Sequence, residues 1–308
     1  MINEERVKFS RPPVALGSNT AAEKHAQDML ENSYQAHWDR RGFKPYMAYT
    51  LEGGSNFVVE NVASAGSLDP NDTTFLPRET VREQIASLQY AMVYDDASAD
   101  WGHREVILNP AYTKVNLGIA YNGRGLTYVQ HFETDHVRTL DVALSCYTLQ
   151  LNLSFLRQLP ITQVAVHYDP LPQPMSRAEL VAMPHWYEVG PGVGRVAKPP
   201  SPGRQYAGLE PTDVVASVWK QSATSLEVEA NIRPILPRGE GVYTIVIWAE
   251  SEIGLEPITN YSLFLERAGA GSVGQIPTSA VSLWEAREGL DAGDAGQMPP
   301  PQRMSSLD

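Results

Sequence analysis

Apolar residues recur every three or four positions over residues 20–34 and again over residues 78–94. This spacing places the apolar side chains on one face, which predicts an amphipathic helix in each segment. An Asn-Thr pair stands at the start of the first segment and Pro77 precedes the second, as is typical of helix starts. Residues 39–59 contain three glycines and a proline and predict a loop.

Strict alternation of apolar and polar residues gives the clearest strand signal. The runs 115–121 and 126–132 alternate, and Asn122-Gly123 stands between them. An Asn-Gly pair between two alternating runs predicts a β-hairpin. Arg124 and Gly125 follow that pair and predict a loop longer than two residues, or a bulge.

Short alternating runs separated by prolines follow residue 159 and predict an antiparallel sandwich or barrel. A stretch rich in Gly and Pro, residues 190–211, predicts a linker or a long surface loop. Small and polar residues dominate from Ala268 onward, which is typical of disorder. The alternating runs cover residues 163–168, 214–220, 226–232, 242–249 and 261–266. The sequence therefore predicts three parts, which are residues 1–159, a β-rich accessory domain at 160–267, and a disordered tail at 268–308.

Composition excludes several partners. The chain carries 24 basic and 36 acidic residues, for a formal net charge of -12. This charge repels phosphate backbones and anionic membrane surfaces, so we expect no nucleic-acid binding. No run approaches the ~20 apolar residues that a spanning helix needs, so we expect no transmembrane segment. Residues 1–14 lack the apolar core of a signal peptide.

The chain has one cysteine, Cys146, which excludes an intramolecular disulfide. Its neighbours alternate like a strand, which predicts a buried and unreactive thiol. A cysteine count this low leaves the cellular compartment open.

Four short patches carry residues that could take part in binding or catalysis, and they follow one another along the chain. His37 comes soon after the first predicted helix, and Glu60-Asn61-Val62-Ala63 follows the predicted loop. Trp101-Gly102-His103-Arg104 follows the second helix, and the hairpin with Gly118 comes last.

In this order the four patches resemble the CAP superfamily, which comprises cysteine-rich secretory proteins, antigen 5 and pathogenesis-related 1 proteins, in its bacterial or archaeal form. The resemblance covers residues 1–137, and Asn3–Arg6 resembles the opening helix of the family. It implies an α+β fold in which a three-layer α-β-α sandwich precedes the smaller, mostly-β domain.

The resemblance also implies a central cleft lined by His37, Glu60 and His103. His37 and His103 would then hold a divalent ion such as Zn²⁺ or Mg²⁺, with zinc preferred by ligand type. The family commonly adds a second acid from the helix before the Gly-His patch. Glu83 is the candidate on that helix, and spacing does not separate it from Asp95 or Asp96 just beyond its end. The sequence alone leaves open whether the two histidines and Glu60 are ligands or structural residues.

From the resemblance we expect an extracellular or cell-envelope binding protein whose cleft holds a divalent metal, a small hydrophobic molecule or a peptide. The second domain would bind a protein or cell-surface partner. The absence of an export signal conflicts with this location. Because Met1 falls almost on the opening helix of the family, we keep open that upstream residues are missing.

Two other functions stay open. One is a metal-assisted, peptidase-like hydrolase in which Glu60 acts as general base on a water molecule. The other is a structural surface protein with a vestigial cleft.

Overall fold

The computed structural model of the protein describes residues 1–69, 71–206, 208–252 and 254–266. The chain forms two compact units. The first contains Met1–Asp135 and Pro172–Tyr187, and the second contains His136–Leu171 and the chain from Glu188 onward.

The described part of the first unit is a four-stranded sheet with short helices. The strands are β1 Ala15–Leu16, β2 Val58–Gly66, β3 Lys114–Tyr121 and β4 Gly125–Glu133, in the spatial order β1-β3-β4-β2. The helices are α1 Ile2–Lys8, α2 Ala21–Asn32, α3 Pro45–Leu51, α4 Val81–Tyr94, α5 Gly102–Leu108 and α6 Arg177–Val181.

Apolar side chains cover both faces of this sheet. On one face, Ala26 and Met29 of α2 lie in one buried cluster with Val62 and Val129 of the sheet. On the other face, side chains of α4 and α5 lie in a second cluster with Val115 and Phe132. A sheet covered by helices on both faces forms three layers, which confirms the expected α-β-α sandwich.

Periodicity predicted most elements of this unit correctly. The helix expected at 20–34 is α2, and that expected at 78–94 is a 3₁₀ turn at Arg78–Thr80 followed by α4. The hairpin is β3 and β4, joined by a three-residue loop in which Gly123 has φ +85°.

The predicted loop at 39–59 is wrong, since it contains α3 and the start of β2. Pro45 stands in the first turn of α3, where its missing N–H costs no hydrogen bond. Tyr46 and Tyr49 are buried on this helix. Burial of those rings stabilises a helix too short to show its period in the sequence.

The described part of the second unit has two sheets around one apolar core. Their spatial orders are β10-β11-β6-β5 and β13-β12-β7-β8-β9. This arrangement confirms the expected mostly-β domain. The strands are β5 Val137–Ser145, β6 Thr148–Phe155, β7 Ile161–Asp169, β8 Gly192–Ala197, β9 Val214–Val215, β10 Val218–Gln221, β11 Ser225–Asn231, β12 Gly241–Ser251 and β13 Gly254–Leu265.

Some predicted boundaries differ from the structure. The expected division at residue 159 lies inside the second unit, because β6 pairs with β11 along its whole length. The expected linker at 190–211 contains β8, and the run at 214–220 is divided between β9 and β10. The predicted disordered tail, residues 268–308, lies outside the described residues.

Cys146 is exposed, in contrast to the predicted buried thiol. It lies in the turn between β5 and β6 with φ +45°. The alternation in the sequence belongs to two strands, and the turn between them projects the thiol into solvent.

Within the described residues, we find no helix of sufficient length and apolar character to cross a bilayer.

Candidate functional site

A buried carboxylate with three imidazole partners lies between α2 and the sheet. The Oε2 atom of Glu60 lies 2.7 Å from Nδ1 of His25 and 2.8 Å from Nε2 of His131. Its Oε1 atom lies 2.9 Å from Nδ1 of His37. All four residues are buried, with His131 at 0% exposure. We call these four residues the histidine cluster.

Strand alternation and helix periodicity bring these side chains together. Glu60 and His131 are cross-strand partners on β2 and β4, so their side chains point to the same face of the sheet. His25 lies on the inner face of α2, next to Ala22 and Ala26. His37 comes from the chain segment that follows α2.

The charge of Glu60 dominates the electrostatics of the cluster. Burial alone raises the pKa of this carboxyl, but the charge of His25 and hydrogen bonds from the three imidazoles lower it well below its usual range. Burial likewise lowers the pKa of His25, and the Glu60 carboxylate raises it by more. Glu60 is therefore ionised, and each imidazole donates an N–H to it.

Two ring nitrogens of the cluster have no hydrogen-bond partner among the described residues. They are Nε2 of His25 and Nδ1 of His131, and both are buried. A buried polar atom without a partner is uncommon and points to a missing ligand or proton. One donor atom from each of His25, Glu60 and His131 lies within 4.8 Å of the other two.

This donor set fits a divalent ion of the zinc type. Imidazole nitrogens with one carboxylate oxygen are ligands that Zn²⁺ accepts, whereas Mg²⁺ prefers oxygen ligands and retains several waters. His25, Glu60 and His131 would hold such an ion once the ring nitrogens that face Glu60 release the hydrogens that they donate to it. His37 binds the other carboxylate oxygen and orients Glu60.

The end of the second stretch of the first unit, which includes His185 and Tyr187, forms the outer wall of the cluster. The Glu60 backbone N–H donates to the hydroxyl of Tyr187 at 2.9 Å, and His37 Nε2 lies 3.3 Å from the carbonyl of His185. The rings of His37 and Tyr187 are 4.7 Å apart. Burial, followed by the charge of Glu60, raises the pKa of the Tyr187 hydroxyl well above its usual range. The tyrosine is therefore neutral.

Both ring nitrogens of His37 face oxygen atoms. Its Nδ1 faces a carboxylate and its Nε2 faces a carbonyl, and both of these groups only accept hydrogen bonds.

The structure does not bring His103 to Glu60, contrary to the expected shared cleft. Its Nδ1 lies 2.6 Å from Oδ1 of Asp96, and its backbone carbonyl accepts a hydrogen bond from Asn61 at 3.2 Å. Glu60 and Asn61 are consecutive on β2, so their side chains point to opposite faces of the sheet. The expected metal pair of His37 and His103 is therefore divided between those two faces.

Glu83 was the candidate for the second acid of the cleft. It lies exposed in the first turn of α4. Of the two other candidates, Asp95 is exposed and Asp96 is buried. Asp96 pairs with His103 and also accepts the backbone N–H of Arg104 at 3.1 Å.

Sequence reasoning missed His25 and His131. The signal for His25 was its position between Ala22 and Ala26 on the apolar face of a predicted helix, which favours burial. His131 lies on β4, whose nine residues are all buried. The alternation located this strand, but because both of its faces are covered, the pattern did not show which neighbour His131 would meet.

Three comparisons with known proteins bear on this chain. A family model described as the cysteine-rich secretory protein family, CAP, matches residues 17–132. A comparison with curated protein sequences found no match. Among solved structures, the CAP domain of Enterococcal PrgA matches with 15% sequence identity and a TM-score of 0.30. The match covers 43% of this chain and 56% of that one, so the chain spans little more than half of that structure's length.

Proposed function

We propose that the CAP domain matched at residues 17–132 binds one divalent metal ion in its histidine cluster, in a non-catalytic role. Zinc is the ion that the donor types favour. The observation that carries the proposal is the convergence of His25 and His131, from a helix and a strand, on one oxygen of Glu60 within 2.8 Å.

A bound ion would connect elements that are distant in the sequence. His25 comes from α2, Glu60 from β2 and His131 from β4. Because an ion that binds only the folded arrangement stabilises it, metal would hold α2 against the sheet. A structural or binding role follows from this placement.

Hydrolysis is less well supported than binding. A general base must reach a water molecule and a substrate, but both oxygens of Glu60 already accept hydrogen bonds and its side chain has no solvent exposure. Glu60 in this arrangement accepts hydrogen bonds, and in the proposed site it would be a metal ligand.

The proposal includes two expectations from the family resemblance. One is an extracellular or cell-envelope location. The other is that the β-rich second unit binds a protein or cell-surface partner. A small hydrophobic molecule or a peptide stays a candidate ligand of the first unit.

Equilibrium dialysis with zinc tests the metal proposal directly. We expect one zinc ion per chain for the wild type, and at least about tenfold weaker binding for a His25→Gln, His131→Gln double variant. His103→Gln is the matched control, because it removes an imidazole that lies outside the cluster, and it should bind as the wild type does. Equal zinc uptake by all three proteins, each checked for folding by circular dichroism, would overturn the proposal.

A further inference from the structure

The wall of the histidine cluster is thin on one side. Pro184, His185 and Trp186 are exposed, although the His37 ring directly beneath them is only 6% exposed. A single layer of chain therefore separates His37 and Glu60 from solvent here. On the other sides the cluster is enclosed by α2 and by the paired strands β2 and β4.

Strong contacts anchor the chain at the amino-terminal end of this thin wall. Leu180 of α6 is fully buried in the apolar cluster beneath α2. Nε of Arg177 donates to the carbonyl of Ser33 at 2.6 Å, and the Met175 N–H donates to the carbonyl of Arg40 at 2.8 Å. These contacts hold residues 175–180 in place.

Beyond Leu180 the polar contacts with the cluster are few. The Tyr187 hydroxyl accepts the Glu60 N–H, and the His185 carbonyl accepts from His37. Each such bond contributes only about 0.5–1.5 kcal/mol net. Opening would also break the packing of Met183 against the apolar cluster beneath α2 and the ring contact of Tyr187 with His37. It would break no strand pairing, so its cost is below that of unfolding the sheet.

We propose that residues 183–187 form a removable cover over the histidine cluster, and that the Tyr187 hydroxyl holds this cover closed. A divalent ion such as zinc enters and leaves the cluster when the cover moves away from Glu60 and His37. This inference rests on the proposed metal function for its ligand, but the closing contact itself is independent of metal.

Amide hydrogen exchange of Glu60 tests the closing contact without any ion. Tyr187→Phe keeps the ring beside His37 and removes the only acceptor that the described residues give to the Glu60 N–H. We expect this amide to exchange about two- to tenfold faster in the variant, while amides of β4 stay unchanged. Tyr94→Phe is the matched control, because its hydroxyl bonds to Glu5 on another surface of the same unit. An unchanged Glu60 exchange rate in Tyr187→Phe would overturn the proposal.

Zinc release to a chelator tests the opening step. For Tyr187→Phe we expect unchanged stoichiometry and release about two- to tenfold faster than for the wild type or Tyr94→Phe. Equal release rates at one ion per chain would contradict the cover and leave the metal function standing. Absence of zinc binding in every protein would contradict the metal function, and the exchange rate of the Glu60 amide would then decide about the cover alone.

Discussion

At the scale of single residues, two of the charged side chains buried in the first unit have different kinds of partner. Glu60 accepts hydrogen bonds from three imidazoles. The guanidinium of Arg6 is fully buried and donates to four backbone carbonyls, two of them at 2.6 Å. Burial, with a smaller contribution from Arg11, lowers the pKa of Arg6. Hydrogen bonds therefore offset the cost of burying each charge. Arg6 and Glu60 each have their own partners and do not pair with each other.

In the second unit, the burial of His167 makes the stability of the fold depend on pH. Burial lowers its pKa more than the Gly190 carbonyl and the charge of Asp169 raise it. The unfolded chain therefore takes up a proton near pH 6.5, before the folded chain does. We expect the contribution of neutral His167 to stability to be fully present above about pH 6.5 and to be lost as the pH drops further.

Thermal midpoints between pH 7.5 and pH 5 measure this effect in the wild type and in His167→Gln. The variant should show a shallower fall than the wild type, and the exposed His185→Gln variant should follow the wild type. Parallel curves for all three proteins would contradict the assignment to His167.

The sequence predicted part of the site. Glu60 and His37 were expected together and lie 2.9 Å apart. His103 was expected beside them because the family pattern names it. Glu60 and Asn61 are neighbours on one strand and point to opposite faces of the sheet, and His103 contacts Asn61. The sequence does not show on which of these two faces His103 lies.

At the scale of elements, the close approach of α2 to β3 positions the cluster. A Cβ at Gly118 of β3 would stand 1.9 Å from the carbonyl oxygen of Ala22 on α2. Only glycine allows this approach, and it sets the depth at which His25 of the same helix reaches the sheet. A glycine in the hairpin therefore contributes to the geometry of the histidine cluster.

Gly118→Ala should push α2 away from the sheet. We expect the free energy of unfolding to fall by about 1–3 kcal/mol, as for an overpacked core. Zinc binding should weaken with it, since His25 would move away from Glu60. Gly102→Ala is the control, because a Cβ there meets no atom within 4 Å. Urea unfolding of both variants measures the difference, and equal losses would contradict a specific contact at Gly118.

Element prediction succeeded where local period and tertiary burial agree. The helix α2 and the hairpin of β3 and β4 both show clear alternation or helical spacing. By contrast, α3 has seven residues and depends on the burial of its tyrosines. The cover of residues 183–187 has no regular structure, so its position follows from tertiary contacts that no local pattern encodes.

At the scale of the whole molecule, the first unit is assembled from two separate stretches of chain. Residues 172–187 belong to it, although the strands before and after them, β7 and β8, belong to the second unit. A boundary at a single residue, such as 159, cannot describe this arrangement. The proline-rich character after residue 159 indicated a change of fold class but not the return of the chain.

Fragments test whether the returning stretch completes the first unit. We compare residues 1–135 with the same fragment joined through a flexible Gly-Ser linker to residues 172–187. The joined fragment should unfold with a free energy greater by about 1.5–3 kcal/mol, the value of burying one leucine such as Leu180. Urea unfolding measures this difference. Equal stability of the two fragments would contradict the assignment of residues 172–187 to the first unit.

The return of the chain also imposes an order on biosynthesis. A nascent chain usually completes its amino-terminal domain while the remainder is still being translated. Here the ribosome must add Tyr187, after β5, β6 and β7 have already emerged, before the Glu60 amide finds its hydroxyl partner. Until then the incomplete first unit is present together with β5, β6 and β7, of which β5 and β6 pair with each other and β7 still lacks its partners β8 and β12. The first unit therefore cannot be completed before residue 187 has been added, and the second cannot be completed before β13.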